Sequence, residues 1–157
     1  MFANLVLATV MVAVTVMIHF FGLAALMILL SRRARGIHQE VRVWRQGAAL
    51  VAVVFGLFAV HTIEIWTYAA LYRFLGEFDT FETALYFSAS TFTTVGFGDI
   101  FLDERWRLLS AIESANGFLL IGWSTAFLIS VTARLRALEL ELTERREEAA
   151  ERSSGQG

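Results

Sequence analysis

Three stretches of the chain, 5–30, 48–72 and 107–133, are each at least 25 residues long, strongly apolar, and separated by short polar segments. An α-helix rising about 1.5 Å per residue needs about 20 mostly apolar residues to cross a bilayer. Each stretch is therefore long enough to span, and three transmembrane helices are the direct reading. The whole-chain composition agrees: 57% of the 157 residues are hydrophobic and only 18% are charged, whereas a soluble domain carries about 45–50% apolar residues. The chain has no proline, so none of the three stretches has a proline kink. It also has no cysteine, which excludes disulfides, thiol chemistry and thiolate metal sites. A net charge of −2 gives no basic surface for nucleic acid.

The first stretch has no basic residue before it and runs to Leu30 before meeting Ser31-Arg32-Arg33-Ala34-Arg35. A cleavable signal has the opposite layout, with charge first and a shorter apolar core, so residues 1–31 are read as a true span. All thirteen basic residues are arginine. Arg32, Arg33, Arg35, Arg42 and Arg45 lie between the first two spans, and Arg134, Arg136, Arg145, Arg146 and Arg152 follow the third. Only Arg73, Arg105 and Arg107 lie between the second and third. The positive-inside rule then puts segment 32–47 and the C-terminal end in the cytoplasm, with the N-terminus and residues 73–106 outside.

Residues 73–106 are too short for a domain and too apolar for a plain loop. Asp79 is the expected N-cap, with Glu82 three residues on completing a capping box near the positive end of the helix dipole. The helical pattern covers 80–92, about 13 residues, which is less than a span and suits a re-entrant segment. It leads into Thr93-Thr94-Val95-Gly96-Phe97-Gly98-Asp99. Glycine enters positive φ without steric cost, so Gly96 and Gly98, alternating with Val95 and Phe97, let successive carbonyls point to one side of an extended strand. Four such strands around an axis make stacked oxygen rings that replace the hydration shell of a cation, with the Thr94 hydroxyl as the innermost ring. Irregular backbone at membrane depth is tolerated where it lines an aqueous path.

Thr94-Val95-Gly96-Phe97-Gly98-Asp99 resembles the selectivity-filter signature of the pore-loop potassium channels, in its Phe-containing variant, and the flanking segments have the family's order. The resemblance covers 48–133 and is to the two-helix bacterial type, here with an added N-terminal helix. It implies an all-α membrane protein with three transmembrane helices, a re-entrant pore helix and a filter loop, assembled as a homotetramer. The expected division is an additional helix at 1–31, a cytoplasmic linker at 32–47, a pore domain at 48–133 and a cytoplasmic helical tail at 134–157. Within the pore domain the outer helix is 48–75, the pore helix 80–92, the filter 93–99 and the inner helix 106–133. The resemblance further implies that K+ is the permeant ligand and that no other cofactor is needed. The ions are held by backbone oxygens of Thr94, Val95, Gly96 and Phe97 and by the Thr94 side chain, with Gly98 closing the filter strand. Phe97 side chains form a cuff, and Asp99 sits at the outer mouth.

Family members of this type often carry a glutamate four residues before the signature threonine and a tryptophan eight before it; here these positions are Ser90 and Tyr86. Tyr86 retains a hydroxyl to donate to Asp99, whereas Ser90 is too short to replace a carboxylate. Filter support therefore falls to Asp99, Tyr86, Ser90 and Thr93. The family's proline after the aspartate is also missing, leaving Ile100-Phe101-Leu102-Asp103-Glu104 as a turret.

His19, His61, Glu64 and Glu113 lie within the apolar stretches, where ionisable groups are costly and mark functional sites by default. Glu64 and Glu113 both fall roughly 10–12 Å below the outer surface at 1.5 Å per residue. His61 and Glu64, and likewise Glu113 and Asn116, share helix faces at i,i+3. One reading joins His61, Glu64, Glu113 and Asn116 in a single buried polar network behind the filter, taking the place of the carboxylate missing at Ser90. The other gives each group its own backbone or serine partner at a helix contact. A metal site at His61-x-x-Glu64 has no third ligand forced nearby, and His19 reads as a helix-contact residue.

In the last span, Gly117 and Gly122 are candidates for a gating hinge or for close helix packing. Leu135, Leu138 and Leu142 follow a 3,4 spacing suited to a short four-stranded bundle, and the Glu- and Arg-rich chain beyond Thr143 is expected to fray. The 24 residues after Ala133 leave no room for a nucleotide- or calcium-binding domain, and the first span lacks a voltage sensor's arginines. The arginines of 32–47 read as anchors or as contacts to anionic lipid headgroups. No nucleophile–base pair or phosphate loop suggests an enzyme. A weakly selective cation channel and a non-conducting membrane scaffold are the competing functions.

Overall fold

The computed structural model describes residues 2–35 and 43–154, with the side chains of 32–46 and of most residues after 137 outside the description. All regular structure among the described residues is helical: α1 (Phe2–Arg35), α2 (Val43–Phe74), α3 (Phe81–Phe92) and α4 (Arg107–Ser154). Three segments, Phe2–Ser31, Gly47–Phe74 and Arg107–Ala137, are long and apolar enough to cross a membrane. At 12 residues α3 reaches only about 18 Å and cannot span.

Three boundaries differ from the sequence expectation, each for an identifiable reason. The helix expected at 80–92 starts at Phe81 and is capped by Thr80, not Asp79. Thr80 is extended (φ −123°, ψ 151°), and its Oγ1 accepts the Thr83 amide at 3.1 Å, so a hydroxyl one residue nearer the helix takes the capping role. The outer helix begins at Val43, because Val43-Trp44-Arg45-Gln46 continues the helix without an apolar signal to announce it. The inner helix and the helical tail expected after 133 form one helix, α4, which does not fray after Thr143 but is continuous to Ser154, since Leu, Glu, Arg and Ala are all strong helix formers.

The short helix α3 is wedged between α2 and α4, while α1 packs against both of those spans. The main core forms where the three helices of residues 43–154 meet, around Tyr68, Tyr72, Phe87, Phe92, Leu109 and Leu120. A second cluster, Leu23, Val53, Leu57 and Val131, with Leu135 packed on it, joins α1, α2 and α4 further along. Helices α1 and α2 touch closely because a Cβ on Gly22 would stand 2.5 Å from Val60 Cγ2, and one on Gly56 would stand 2.3 Å from Leu26 Cδ2. The Asn4 side-chain amide donates to the Arg105 carbonyl, so the start of α1 lies at the same end of the molecule as the start of α4. The bundle expectation at Leu138 and Leu142, and any lipid contact of Arg32, Arg33, Arg35, Arg42 and Arg45, lie outside the described side chains.

Candidate functional site

Helix α3 ends on Thr93, which is right-handed (φ −79°, ψ 0°) and directs its hydroxyl to the Ala89 carbonyl at 2.6 Å. The chain then changes hand at alternate residues: φ is +61° at Thr94, +57° at Gly96 and +75° at Gly98, while Val95 and Phe97 keep negative values. Two successive amides turn back toward α3, Gly96 N–H to the Ser90 carbonyl at 3.1 Å and Phe97 N–H to Ser90 Oγ at 3.3 Å. In a planar trans peptide the C=O points opposite the N–H. The carbonyls of Val95 and Gly96 therefore face away from α3, in a segment whose residues 93–99 are all exposed. Positive φ at Thr94 is a strained conformation for a β-branched residue, costing on the order of 1–3 kcal/mol, of the kind that persists at functional sites.

Behind this strand Tyr86 OH donates to Asp99 Oδ2 at 2.8 Å, and the Tyr86 and Phe97 rings are stacked at 6.1 Å with a 9° interplanar angle. The bond to Asp99 raises the Tyr86 pKa above the ordinary phenol value. Asp99 also accepts the Ile100 amide on Oδ1 at 3.1 Å. Ser90 does not reach the aspartate; it holds the strand through the Phe97 amide. In the turret, Glu77 accepts the Asp103 amide at 2.9 Å and ties it to the end of α2.

The polar groups inside the spans are divided among three centres and do not form one network. Fully buried Glu113 accepts Tyr72 OH from α2 and lies 2.6 Å from Ser88 Oγ of α3, whose single hydroxyl proton is shared with the Ile65 carbonyl at 3.0 Å. Glu113 therefore braces α3 at Ser88, two residues before Ser90, with no hydrogen bond to Asp99. Asn116 donates to Thr15 Oγ1 of α1 at 2.7 Å and to Tyr68 OH at 3.3 Å. The third centre joins His19 of α1 to Glu64 and His61 of α2, with Glu64 accepting at 2.9 and 2.8 Å. His61 Nε2 lies 2.9 Å from Ser124 Oγ of α4. The separation follows from helix rotation, because Glu64 faces α1 while Glu113 faces α3.

The two glycines of α4 stand in different surroundings. A Cβ on Gly117 would lie 2.1 Å from the Phe92 carbonyl oxygen, whereas one on Gly122 would meet nothing within 4 Å. Gly117 thus packs directly against the end of α3.

His19, Tyr72, Ser88, Thr15 and Ser124 complete these centres; sequence reasoning marked His19 as a helix contact and gave none of the five its partner. Their common signal is a polar side chain in an otherwise apolar run, which identifies the residue but not its partner across helices.

No curated protein and no solved structure matches the chain. A family model described as an ion channel matches residues 49–134, more than half of the chain and the segment that carries most of α2, all of α3, the Thr93–Asp99 strand and most of the membrane part of α4. The chain belongs to this pore-loop ion channel family.

Proposed function

We propose that the protein is a potassium-selective channel in which four copies each contribute one filter strand. The observation that carries this reading is the pairing of both the Gly96 and Phe97 amides with Ser90, which leaves a row of carbonyls on an exposed face. A single row of oxygens is not a cage; four rows around an axis coordinate a dehydrated cation at each level. The surfaces beside the row are suited to partner copies. Val95, Phe97, Phe118 and Leu119 are 56–69% exposed in the single chain, and large apolar side chains flanking a polar strand call for cover by protein.

In this assembly Thr94, Val95, Gly96 and Phe97 ligate K+ through backbone oxygens, Thr94 adds its hydroxyl, and Gly98 supplies the left-handed turn before Asp99. Conduction needs no other cofactor. The protein sits in a cytoplasmic membrane with the start of α1 and the filter at the outer face, where Glu77, Asp79, Glu82, Asp99, Asp103 and Glu104 outnumber Arg73, Arg105 and Arg107. Four copies of that acid surplus concentrate cations at the mouth. The arginines of 32–47 lie on the cytoplasmic side, beside anionic lipid headgroups.

Reconstitution into planar bilayers under a tenfold K+ gradient, with Na+ balancing the opposite side, tests the proposal. A reversal potential near the potassium limit of about 59 mV is expected. A value near zero overturns potassium selectivity in favour of a weakly selective cation channel, and no current overturns conduction in favour of a scaffold.

A further inference from the structure

His19, His61 and Glu64 each offer one ligand atom, and the three atoms all lie within 4.8 Å of one another. We infer that this cluster is a binding site for a divalent transition-metal ion of the Zn2+ class, which ties α1 to the pore domain. Two imidazoles and a carboxylate, with a fourth position left for water, form a donor set that Zn2+ accepts.

Four observations carry the assignment. Glu64 and His19 are fully buried and His61 is 17% exposed, so the ligands are withdrawn from bulk solvent. A carboxylate only accepts, so both imidazoles donate to it through Nδ1. With neutral rings the cluster then keeps one negative charge, and among the described residues the only ion-pair partners of Glu64 are these two histidines. An uncompensated charge inside a span is expensive, and a bound cation removes that cost. His19 Nε2 is buried with no hydrogen-bond partner, and a metal bound through that nitrogen supplies the missing one. Finally, the surroundings suit a metal ligand. When a metal takes the His61 Nδ1 lone pair, the imidazole proton resides on Nε2 and is donated to Ser124 Oγ, 2.9 Å away, which fixes the ring.

The site is placed to influence the filter. The His61 ring centroid is 5.9 Å from that of Phe92, the last residue of α3 and the second before Thr94, and the His19 ring is 5.1 Å from Trp123 of α4. A metal held here joins α1 and α2 at a point that touches both the end of the pore helix and the inner helix.

The test uses the full chain, purified in detergent, stripped with EDTA and titrated with Co2+ at neutral pH, with absorption in the visible reporting low-symmetry nitrogen and oxygen coordination. The expected result is a visible d–d band saturating at one Co2+ per chain, bleached by Zn2+, together with a Zn2+-dependent rise of several degrees in thermal midpoint. His19→Gln and Glu64→Gln are each expected to weaken Co2+ binding at least tenfold, while His38→Ala, which removes the remaining histidine, leaves it unchanged. Absence of the band and of the thermal shift in the wild-type chain overturns the inference and leaves a proton as the occupant. Binding that survives both Gln variants overturns it in favour of an adventitious surface ion. Should either variant fail to fold, His61→Gln and the wild-type titration still decide. None of these readouts is a current, so the result is independent of the channel proposal.

Discussion

The carbonyl oxygen of Phe92 lies 2.1 Å from the place a Cβ would occupy on Gly117. The last turn of the pore helix therefore rests directly on the backbone of α4, at a contact that any side chain would push apart. The obstructing atoms are backbone carbonyl atoms and the buried Phe92 ring, none of which can swing aside.

Gly117→Ala is accordingly expected to disturb the pore helix, while Gly122→Ala, with nothing within 4 Å of its new methyl group, is expected to leave the single-chain fold intact. Overpacking of this kind typically costs about 1–3 kcal/mol. Thermal unfolding of the two purified variants compares them. A midpoint for Gly117→Ala equal to that of Gly122→Ala would show that the pore helix can shift off α4, and would return Gly117 to the role of a hinge.

The contrast between these glycines shows where sequence reasoning stops. Hydropathy locates spans because the bilayer sets their length, and the 94–99 signature is legible because alternating hand needs glycine at defined positions. Which face a helix turns to its neighbour depends on its rotation, which no local pattern encodes. Thus the i,i+3 pair His61 and Glu64 was legible, but its third member, His19, is 45 residues away on another helix. Likewise Glu113 was marked as unusual, yet its partners Tyr72 and Ser88 read as ordinary membrane-helix residues. Asp79 and Thr80 are both competent caps, and only the path of the preceding turn chooses between them. A helical tail after 133 was legible in the 3,4 spacing of Leu135, Leu138 and Leu142, whereas its reach past Thr143 to Ser154 was not, because the charged end of the chain carries no apolar pattern.

Ser90 and Tyr86 hold different parts of the strand, so their removal should have separable effects. Ser90→Ala deletes the acceptor of the Phe97 amide and is expected to weaken the strand itself, lowering K+ over Na+ preference several-fold in bilayer recordings. Tyr86→Phe frees Asp99 while keeping the ring stacked on Phe97, and is expected to speed the decay of current during sustained opening with selectivity unchanged. The pH dependence follows from the raised Tyr86 pKa. The protonated phenol is the donor, so the bond is fully present below the ordinary tyrosine value of about 10 and is lost only as pH rises through the higher folded value. Decay that accelerates between pH 7 and 9 in the wild-type channel but not in Tyr86→Phe would contradict this assignment.

Glu113 accepts from α2 and from α3 at once, so Glu113→Gln leaves one carbonyl oxygen where there were two acceptors. A typical intramolecular hydrogen bond contributes about 0.5–1.5 kcal/mol net, and one to a charged group about 1.5–3 kcal/mol. A double-mutant cycle of Glu113→Gln with Tyr72→Phe, read by denaturant unfolding, is expected to show a coupling energy of at least about 0.5 kcal/mol, as for residues in one network. The same cycle between Glu113→Gln and Glu64→Gln is expected to give additive effects, because the two carboxylates belong to separate centres. Strong coupling in the second cycle and none in the first would restore a single network.

Helix α1 covers groups that a two-helix pore would leave facing lipid. Asn116 meets Thr15, Glu64 meets His19, and the Arg105 carbonyl accepts from Asn4. A chain lacking residues 2–31 exposes Glu64 and Asn116 to hydrocarbon, where a charged group at a helix centre costs about 2.5–3.5 kcal/mol on the insertion scale. The truncated chain is therefore expected to accumulate poorly and to fail to form a discrete oligomer on size-exclusion chromatography. Adding Glu64→Leu, His61→Leu and Asn116→Leu to it removes the exposed polar groups and is expected to recover the oligomer. Conduction is the sharper readout, since the triple variant keeps Glu113, Tyr72, Ser88 and Ser90, which brace α3 and the filter strand without α1. Recovery of both oligomer and current would make α1 a cover for polar residues of the pore domain. Failure of the leucine variant to recover the oligomer would mean that α1 contributes through its apolar packing at Leu23 and Gly22 instead.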